Sequence, residues 1–182
     1  MMPILYSFLF IIILIGAVGI FYVYQYNKLQ HSKTKIDHAE CLIDEALRNT
    51  YDILVKADKI IQSELGGDKS YFKGLDKVKN ENISNFDLDR KLTEYVSLLD
   101  QIKLDNSDLA NNKGFKDILS EMKKASEKLQ AAKSYYNKYT SELNDLIRTF
   151  PSNLVARLHA INIKPFFDGK NMEDEIVDDF KL

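Results

Sequence analysis

Residues able to do chemistry are sparse in this 182-residue chain, and few stand at a working spacing. His38, Cys41 and Asp44 recur every third position, which on a helix sets an imidazole, a thiol and a carboxylate along one flank. Such a donor set could hold a soft divalent metal. The commoner role of this trio is a half-exposed helix flank, and we expect no metal there. A di-iron centre in a helical bundle requires two Glu-x-x-His pairs and two further Glu. The residues three before His31, His38 and His159 are Lys28, Lys35 and Ala156, so the motif is absent. No Gly-rich phosphate loop, nucleophile elbow or His-Glu-x-x-His occurs either. Tyr135, Tyr136 and Tyr139 interleave with Lys133 and Lys138, which suggests a stacking surface for nucleic acid. Two of those tyrosines fall on apolar heptad rows, so core packing is the stronger reading. Charge agrees. With 25 Lys and Arg against 27 Asp and Glu, the chain lacks the excess that phosphate binding needs. We expect no catalytic residue, no cofactor, no resident metal and no nucleic-acid partner.

The best candidate surface is the segment 150–167, where polar groups sit beside apolar residues prone to exposure. Asn153, Arg157, Lys164, Phe166 and Phe167 are its candidate partner-contacting residues, with His159, Leu158, Ile161 and Ile163 among them. The competing role is structural: a return that closes one end of a bundle. Pro151 should stop the helix before it, and Ser152 or Asn153 could cap a new one by accepting a backbone N–H. That helix would carry Leu154, Val155, Leu158 and Ile161 on one side, with Arg157 facing away. Residues 172–182 hold Glu173, Asp174, Glu175, Asp178 and Asp179 against one Lys, the composition of a solvated, disordered tail.

Those residues need a scaffold, and the chain's first feature is an anchor. Residues 4–24 are 21 positions without a charge, matching the about 20 helical residues that cross a bilayer core. A cleaved signal would need a basic start, a shorter apolar stretch and a small-x-small site. Nothing before Ile4 is charged, and bulky aromatics come after the loose Ala17-Val18-Gly19 match. Cys41 comes too late to be a lipoprotein cysteine, and as the single Cys it excludes an intramolecular disulfide. Lys28, Lys33 and Lys35 lie after the run, while only the terminal amine precedes it, which places the N-terminus outside and the domain in the cytoplasm. Tyr22, Tyr24 and Tyr26 suit the inner interface.

Beyond the anchor the pattern is helical. No Gly or Pro lies between Gly19 and Gly66, so one helix is expected to run from Ile4 to Leu65. Leu29, Ile36, Ile43 and Ala57 form one heptad row with Thr50 interrupting it. Ala39, Ala46, Ile53 and Ile60 form a second, and Leu47, Leu54 and Ile61 a third. Gly66-Gly67 should end this helix. Residues 68–86 read as a short helix plus loops, and Asn85 or Asp87 should cap a helix carrying Leu88, Leu92, Tyr95, Leu99 and Ile102. Residues 105–112 read as a turn. A last long helix is expected from about Lys113 to Phe150, with Phe115, Met122, Leu129, Tyr136, Leu143 and Phe150 in one row and Ile118, Ala125, Ala132, Tyr139 and Leu146 in another. Such stripes cannot be buried singly, so an elongated antiparallel bundle of three or four helices is expected. A parallel dimeric coiled coil would use the same heptads. The turns at Gly66 and 105–112 favour folding back within one chain.

Several stretches follow one another in a set order. They are Tyr26-Asn27-Lys28-Leu29 after the apolar run, Tyr51-Asp52-Ile53-Leu54, and Leu109-Ala110-Asn111-Asn112-Lys113-Gly114-Phe115. Tyr136-Asn137 comes next, then Phe150-Pro151-Ser152-Asn153-Leu154-Val155-Ala156 and Lys164-Pro165-Phe166-Phe167. This order resembles the bacterial LemA family; it covers most of the chain, and the Phe150 to Ala156 stretch is its specific part. Where members usually carry Pro after the Tyr-Asp stretch this chain has Val55, the basic pair before it is reduced to Arg48, and Ala125-Ser126-Glu127 replaces a polar triplet. The resemblance implies a membrane-anchored helical bundle, usually N-outside, without established enzymatic activity. Members are often encoded beside membrane metallopeptidases.

The expected fold is therefore all-α, an N-terminal transmembrane helix and then the bundle. Residues 1–3 lie outside the cell, 4–24 cross the bilayer, 25–168 form the helical domain and 169–182 the acidic tail. The function expected is a non-enzymatic, membrane-tethered scaffold that meets the bilayer through residues 4–24 and presents its bundle to a protein partner. The alternative is a regulatory or sensory subunit of a membrane peptidase or envelope-stress system. Oligomeric state is not legible.

Overall fold

A computed structural model describes residues 2–66, 70–80 and 83–167. The elements are α1 (Met2–Leu65), α2 (Leu75–Asn80), α3 (Asn85–Asp105), α4 (Ser107–Asn111), α5 (Lys113–Arg148) and α6 (Ser152–Leu158). No strand occurs among the described residues, and the fold is all-α. The acidic tail of 169–182 lies outside them.

With no Gly or Pro between Gly19 and Gly66, α1 runs 64 residues without interruption, about 96 Å at 1.5 Å per residue. It stops at Gly66, whose φ of 69° is open to glycine without strain and whose N–H reaches the Gln62 carbonyl at 3.1 Å. The chain forms two compact units, one of Met1–Asp37 with Tyr136–Phe166 and one of His38–Tyr135 with Phe167–Leu182.

In the second unit the three rows of α1 are buried, apart from the half-buried Ile60. Ile43, Leu47, Leu54, Ala57 and Ile61 are fully enclosed, and Thr50 is accommodated by donating to the Ala46 carbonyl at 3.0 Å. Each large aliphatic side chain removed from water contributes about 1.5–3 kcal/mol. Here α5 runs antiparallel to α1: His38 meets the Tyr135 ring edge-on at 6.3 Å, and Lys56 pairs with Glu121 at 3.3 Å. At the far end, a Cβ on Gly114 would stand 3.6 Å from Ile60 Cδ1. A third helix, α3, also opposes α5. Lys133 reaches Asp89 near one end, and Lys103 lines a groove with Leu119 near the other.

The connections are held by side chains. Asp58 accepts from Gln62 Nε2 at 2.7 Å and from the Tyr71 N–H at 2.8 Å, which ties the segment after Gly66 back to α1. Phe72 is buried, edge-on to Tyr95, whose hydroxyl donates to the Lys73 carbonyl at 2.9 Å. The cap of α3 is Ser84, not Asn85 or Asp87. Its hydroxyl accepts the Asp87 N–H at 3.2 Å and donates to the Asp87 carboxylate at 2.7 Å. The reciprocal pair satisfies an orphan amide and positions an acid at the positive end of the helix dipole. The stretch expected as a turn holds α4 instead. Its Leu109 is buried, so one helical turn there gains an apolar contact.

In the first unit, residues 3–24 of α1 are exposed apart from the half-buried Tyr22, and none of the most apolar 18-residue window is buried. Burial begins at Gln25 and continues through Leu29, Ser32 and Ile36. The same unit buries Tyr136, Thr140, Leu143, Asn144 and Leu146 of α5 with Ser152, Val155 and Ala156 of α6. Two positions depart from the expected α5 row. Leu129 is only half-buried, and Phe150 lies beyond the end of α5 at 79 % exposure.

Candidate functional site at the turn after the long helix

The end of α5 leaves carbonyls without helical partners, and local hydroxyls meet them. Thr149 donates its N–H and its hydroxyl to the Asp145 carbonyl at 2.9 and 2.7 Å. Ser152 donates to the carbonyls of Leu146 at 2.7 Å and Thr149 at 3.0 Å. That use of the hydroxyl corrects the expected cap of α6. The residue before the helix is Pro151, which makes no side-chain cap, and neither Ser152 nor Asn153 accepts a backbone N–H there. The Phe150–Pro151 peptide is cis.

The facing of α6 also differs from expectation. Val155 and Ala156 point inward, while Leu154, Arg157 and Leu158 share the exposed side. At 100° per residue those three positions fall within one arc, so Arg157 flanks the leucines rather than opposing them. The helix closes with the Ile161 N–H on the Ala156 carbonyl at 2.9 Å and the Ala160 N–H on the Arg157 carbonyl at 3.2 Å. Ala160 takes a φ of 49°, the left-handed position usual for glycine in this closure.

His159 comes directly after and meets α1. Its Nε2 lies 2.6 Å from the Tyr22 hydroxyl, and its ring centroid is 4.6 Å from that of Tyr26. The return segment is then clamped by one amide: Asn144 donates to the Lys164 carbonyl at 2.7 Å and accepts the Lys164 N–H at 2.9 Å. Tyr136 donates to the Pro165 carbonyl at 3.3 Å, and the Lys164 ammonium stands 3.8 Å from Asp37.

The five candidate contact residues are therefore in different situations. Arg157 is exposed. Asn153 is half-buried, with its side-chain oxygen enclosed and without a hydrogen-bond partner among the described residues. Lys164 and Phe166 are half-buried. Phe167 is buried in the second unit, stacked at 4.3 Å on Phe86 and beneath the Lys133 ammonium at 5.3 Å, so its ring is committed to packing. The surface that remains around Arg157 is apolar: Phe150, Leu154, Leu158 and Ile163 are exposed. Phe150 and Leu154 were not singled out for exposure from sequence, because both fit an inward-facing pattern. Tyr22 and Tyr26 were expected from sequence at a membrane interface, and the bond from Tyr22 to a residue 137 positions away was not legible.

Elsewhere, Cys41 is exposed and Asp44 is engaged by Arg48 at 2.9 Å. Among the described residues no group of three or more His, Cys, Asp or Glu could hold a metal ion. A groove of about 790 Å³ lies between α1 and α5, where Ala46, Ala125 and Ala132 leave room beside Leu42 and Tyr135.

The LemA family profile matches residues 43–178, and a curated relative, Protein LemA of Metamycoplasma hominis, is 26 % identical over 97 % of this chain and 85 % of its own. No solved structure matches. The match spans α2 to α6 with about the last third of α1, and it includes the Phe150 to Ala156 turn; the chain belongs to the LemA family.

Proposed function

We propose that this protein is a membrane-tethered, non-enzymatic scaffold: residues 4–24 hold it in the bilayer, and the helical domain presents its surface to a protein partner on the cytoplasmic side. The observation that carries the reading is the abrupt change along α1. Its 21 uncharged positions, 4–24, are exposed apart from the half-buried Tyr22 near their end, whereas from Gln25 onward its apolar rows are covered by helices. An apolar helix surface left open at this length suits lipid. The lysines at 28, 33 and 35 support a cytoplasmic location for the helical domain.

The test is crosslinking in native membranes coupled to mass spectrometry on the full chain. A reproducible set of crosslinks from exposed residues of the helical domain to one protein is expected. Release of the chain by alkaline wash would overturn the tether, and crosslinks restricted to the chain itself would overturn the scaffold.

A further inference from the structure

The exposed apolar side of α6 stands beside the point where α1 emerges from its uncharged run. Tyr22 lies within residues 4–24, two positions before their end, and its hydroxyl meets His159 at the C-terminus of α6. The ring of Tyr26, one turn further, meets His159 as well. If residues 4–24 span the bilayer core, α6 is held at the level of its boundary. There the neighbouring side chains are large and open: Phe150 is 79 %, Leu154 51 % and Leu158 75 % exposed. Three open aromatic or leucine side chains on one short turn are costly in water and suited to an apolar neighbour.

Charge identifies the neighbour. From Leu146 to Phe167 there is no Asp or Glu, while Arg148, Arg157 and Lys164 are present with His159. The compact unit that contains this turn holds seven Lys and Arg against three Asp and Glu, a net of +4 in a chain of −2. Exposed Arg148 and Arg157 flank the apolar side, the arrangement of an interfacial segment whose hydrocarbon groups enter the acyl boundary while its cations meet phosphate.

We propose that the turn of Phe150, Leu154 and Leu158 docks onto the surface of the same bilayer that α1 enters, with Arg148 and Arg157 meeting anionic lipid headgroups. The docking rests on the tether proposed above. It fixes the domain by a second point of contact, so that α1 does not swivel freely where it leaves the membrane. An anionic leaflet attracts each basic residue near its surface and is screened within a Debye length, so the contact requires the proximity that the Tyr22–His159 bond supplies.

The experiment uses the full chain with Cys41→Ser, reconstituted into vesicles of phosphatidylcholine with and without phosphatidylglycerol. A single environment-sensitive fluorophore is placed at Leu9→Cys or at Leu158→Cys, both exposed positions, and quenched by brominated acyl chains. Quenching at both positions is expected, and at position 158 it should fall by about half when phosphatidylglycerol is omitted or when Arg148→Glu and Arg157→Glu are combined. An unquenched label at position 9 would overturn the tether itself, and the docking with it. A quenched label at position 9 with a water-exposed label at 158 would overturn the docking alone. A label at 158 that is shielded from water yet unquenched would assign the surface to a protein partner or a second copy, and would equally overturn it. Quenching at 158 that ignores both phosphatidylglycerol and charge reversal would overturn headgroup recognition.

Discussion

Asp89 is buried on α3 and holds the Lys133 ammonium at 2.6 Å from both carboxylate oxygens. The Phe167 ring lies against the same ammonium, so the pair ties α3 and α5 to the last described residue of the chain. Two desolvated charges contribute little net stability over a well-packed apolar pair, but removing one leaves the other uncompensated. Asp89→Ala is therefore expected to lower the unfolding free energy by about 3–5 kcal/mol, whereas joint replacement of Asp89 and Lys133 by leucine should cost far less. Denaturant titration of the three chains checks both. The sequence placed Lys133 among the tyrosines and passed over Asp89, because periodicity counts apolar residues and a buried acid is silent in that count until its partner is known. Tyr51 is a second residue with a measurable signature. Burial raises its pKa above the ordinary 10.0, and Asp76 and Asp52 add to the effect. The folded state therefore holds this proton more tightly than the unfolded chain. The contribution is intact below the unfolded value and is lost as pH rises through the folded one. Alkaline unfolding should accordingly steepen above about pH 10, and Tyr51→Phe should blunt it; identical alkaline midpoints would refute the assignment.

At the scale of elements, breakers and heptads located the long helices well. The end of α1 at Gly66 and the start of α5 at Lys113 needed only a glycine and a row of apolar positions. What the pattern could not track was the change of partner along α5. Leu129, two heptads past Phe115, is half out of the core, although Tyr136 and Leu143 on the same row are buried. Further along, the buried positions become Tyr136, Thr140, Leu143 and Asn144, a set that admits polar groups because Asn144 clamps the return at Lys164. Phe150 falls past the helix end and faces solvent. Leu129 and Leu143 belong to one row by sequence, yet they should answer mutation differently. Leu143→Ala is expected to cost about 2–5 kcal/mol as a fully buried deletion, and Leu129→Ala no more than about half of that. Thermal melts of the two variants in detergent decide it, and equal losses would mean that the row is uniformly core. The turn after α5 was legible as a candidate surface, but its facing was not. Ser152 is drawn to the carbonyls of α5, and with it inward, α6 turns Leu154 and Leu158 outward.

For the whole molecule, the proposed orientation rests on the uneven distribution of charge. The first acidic residue is Asp37, and before it lie Lys28, Lys33 and Lys35, all beyond the uncharged run. A bias of this kind, within about 15–20 residues of a span, holds the basic side in the cytoplasm. The acidic excess belongs to the rest of the chain, where it does not oppose that bias, since acidic residues weigh little in membrane orientation. Cys41 offers a direct probe, because it is the single thiol, lies 17 positions after Tyr24 on the same unbroken helix, and is exposed. Its exposure means that access depends on the compartment rather than on opening of the fold. A membrane-impermeant maleimide is therefore expected to leave Cys41 unmodified in intact cells and to label it in permeabilised ones, with the Cys41→Ser chain silent in both. Labelling of intact cells to the same extent would place the helical domain outside, and the lysines would then have to be read as headgroup contacts on the outer leaflet. Because the bilayer lies between reagent and thiol in only one of the two orientations, the ratio of the two labelling yields assigns the topology without any knowledge of the partner.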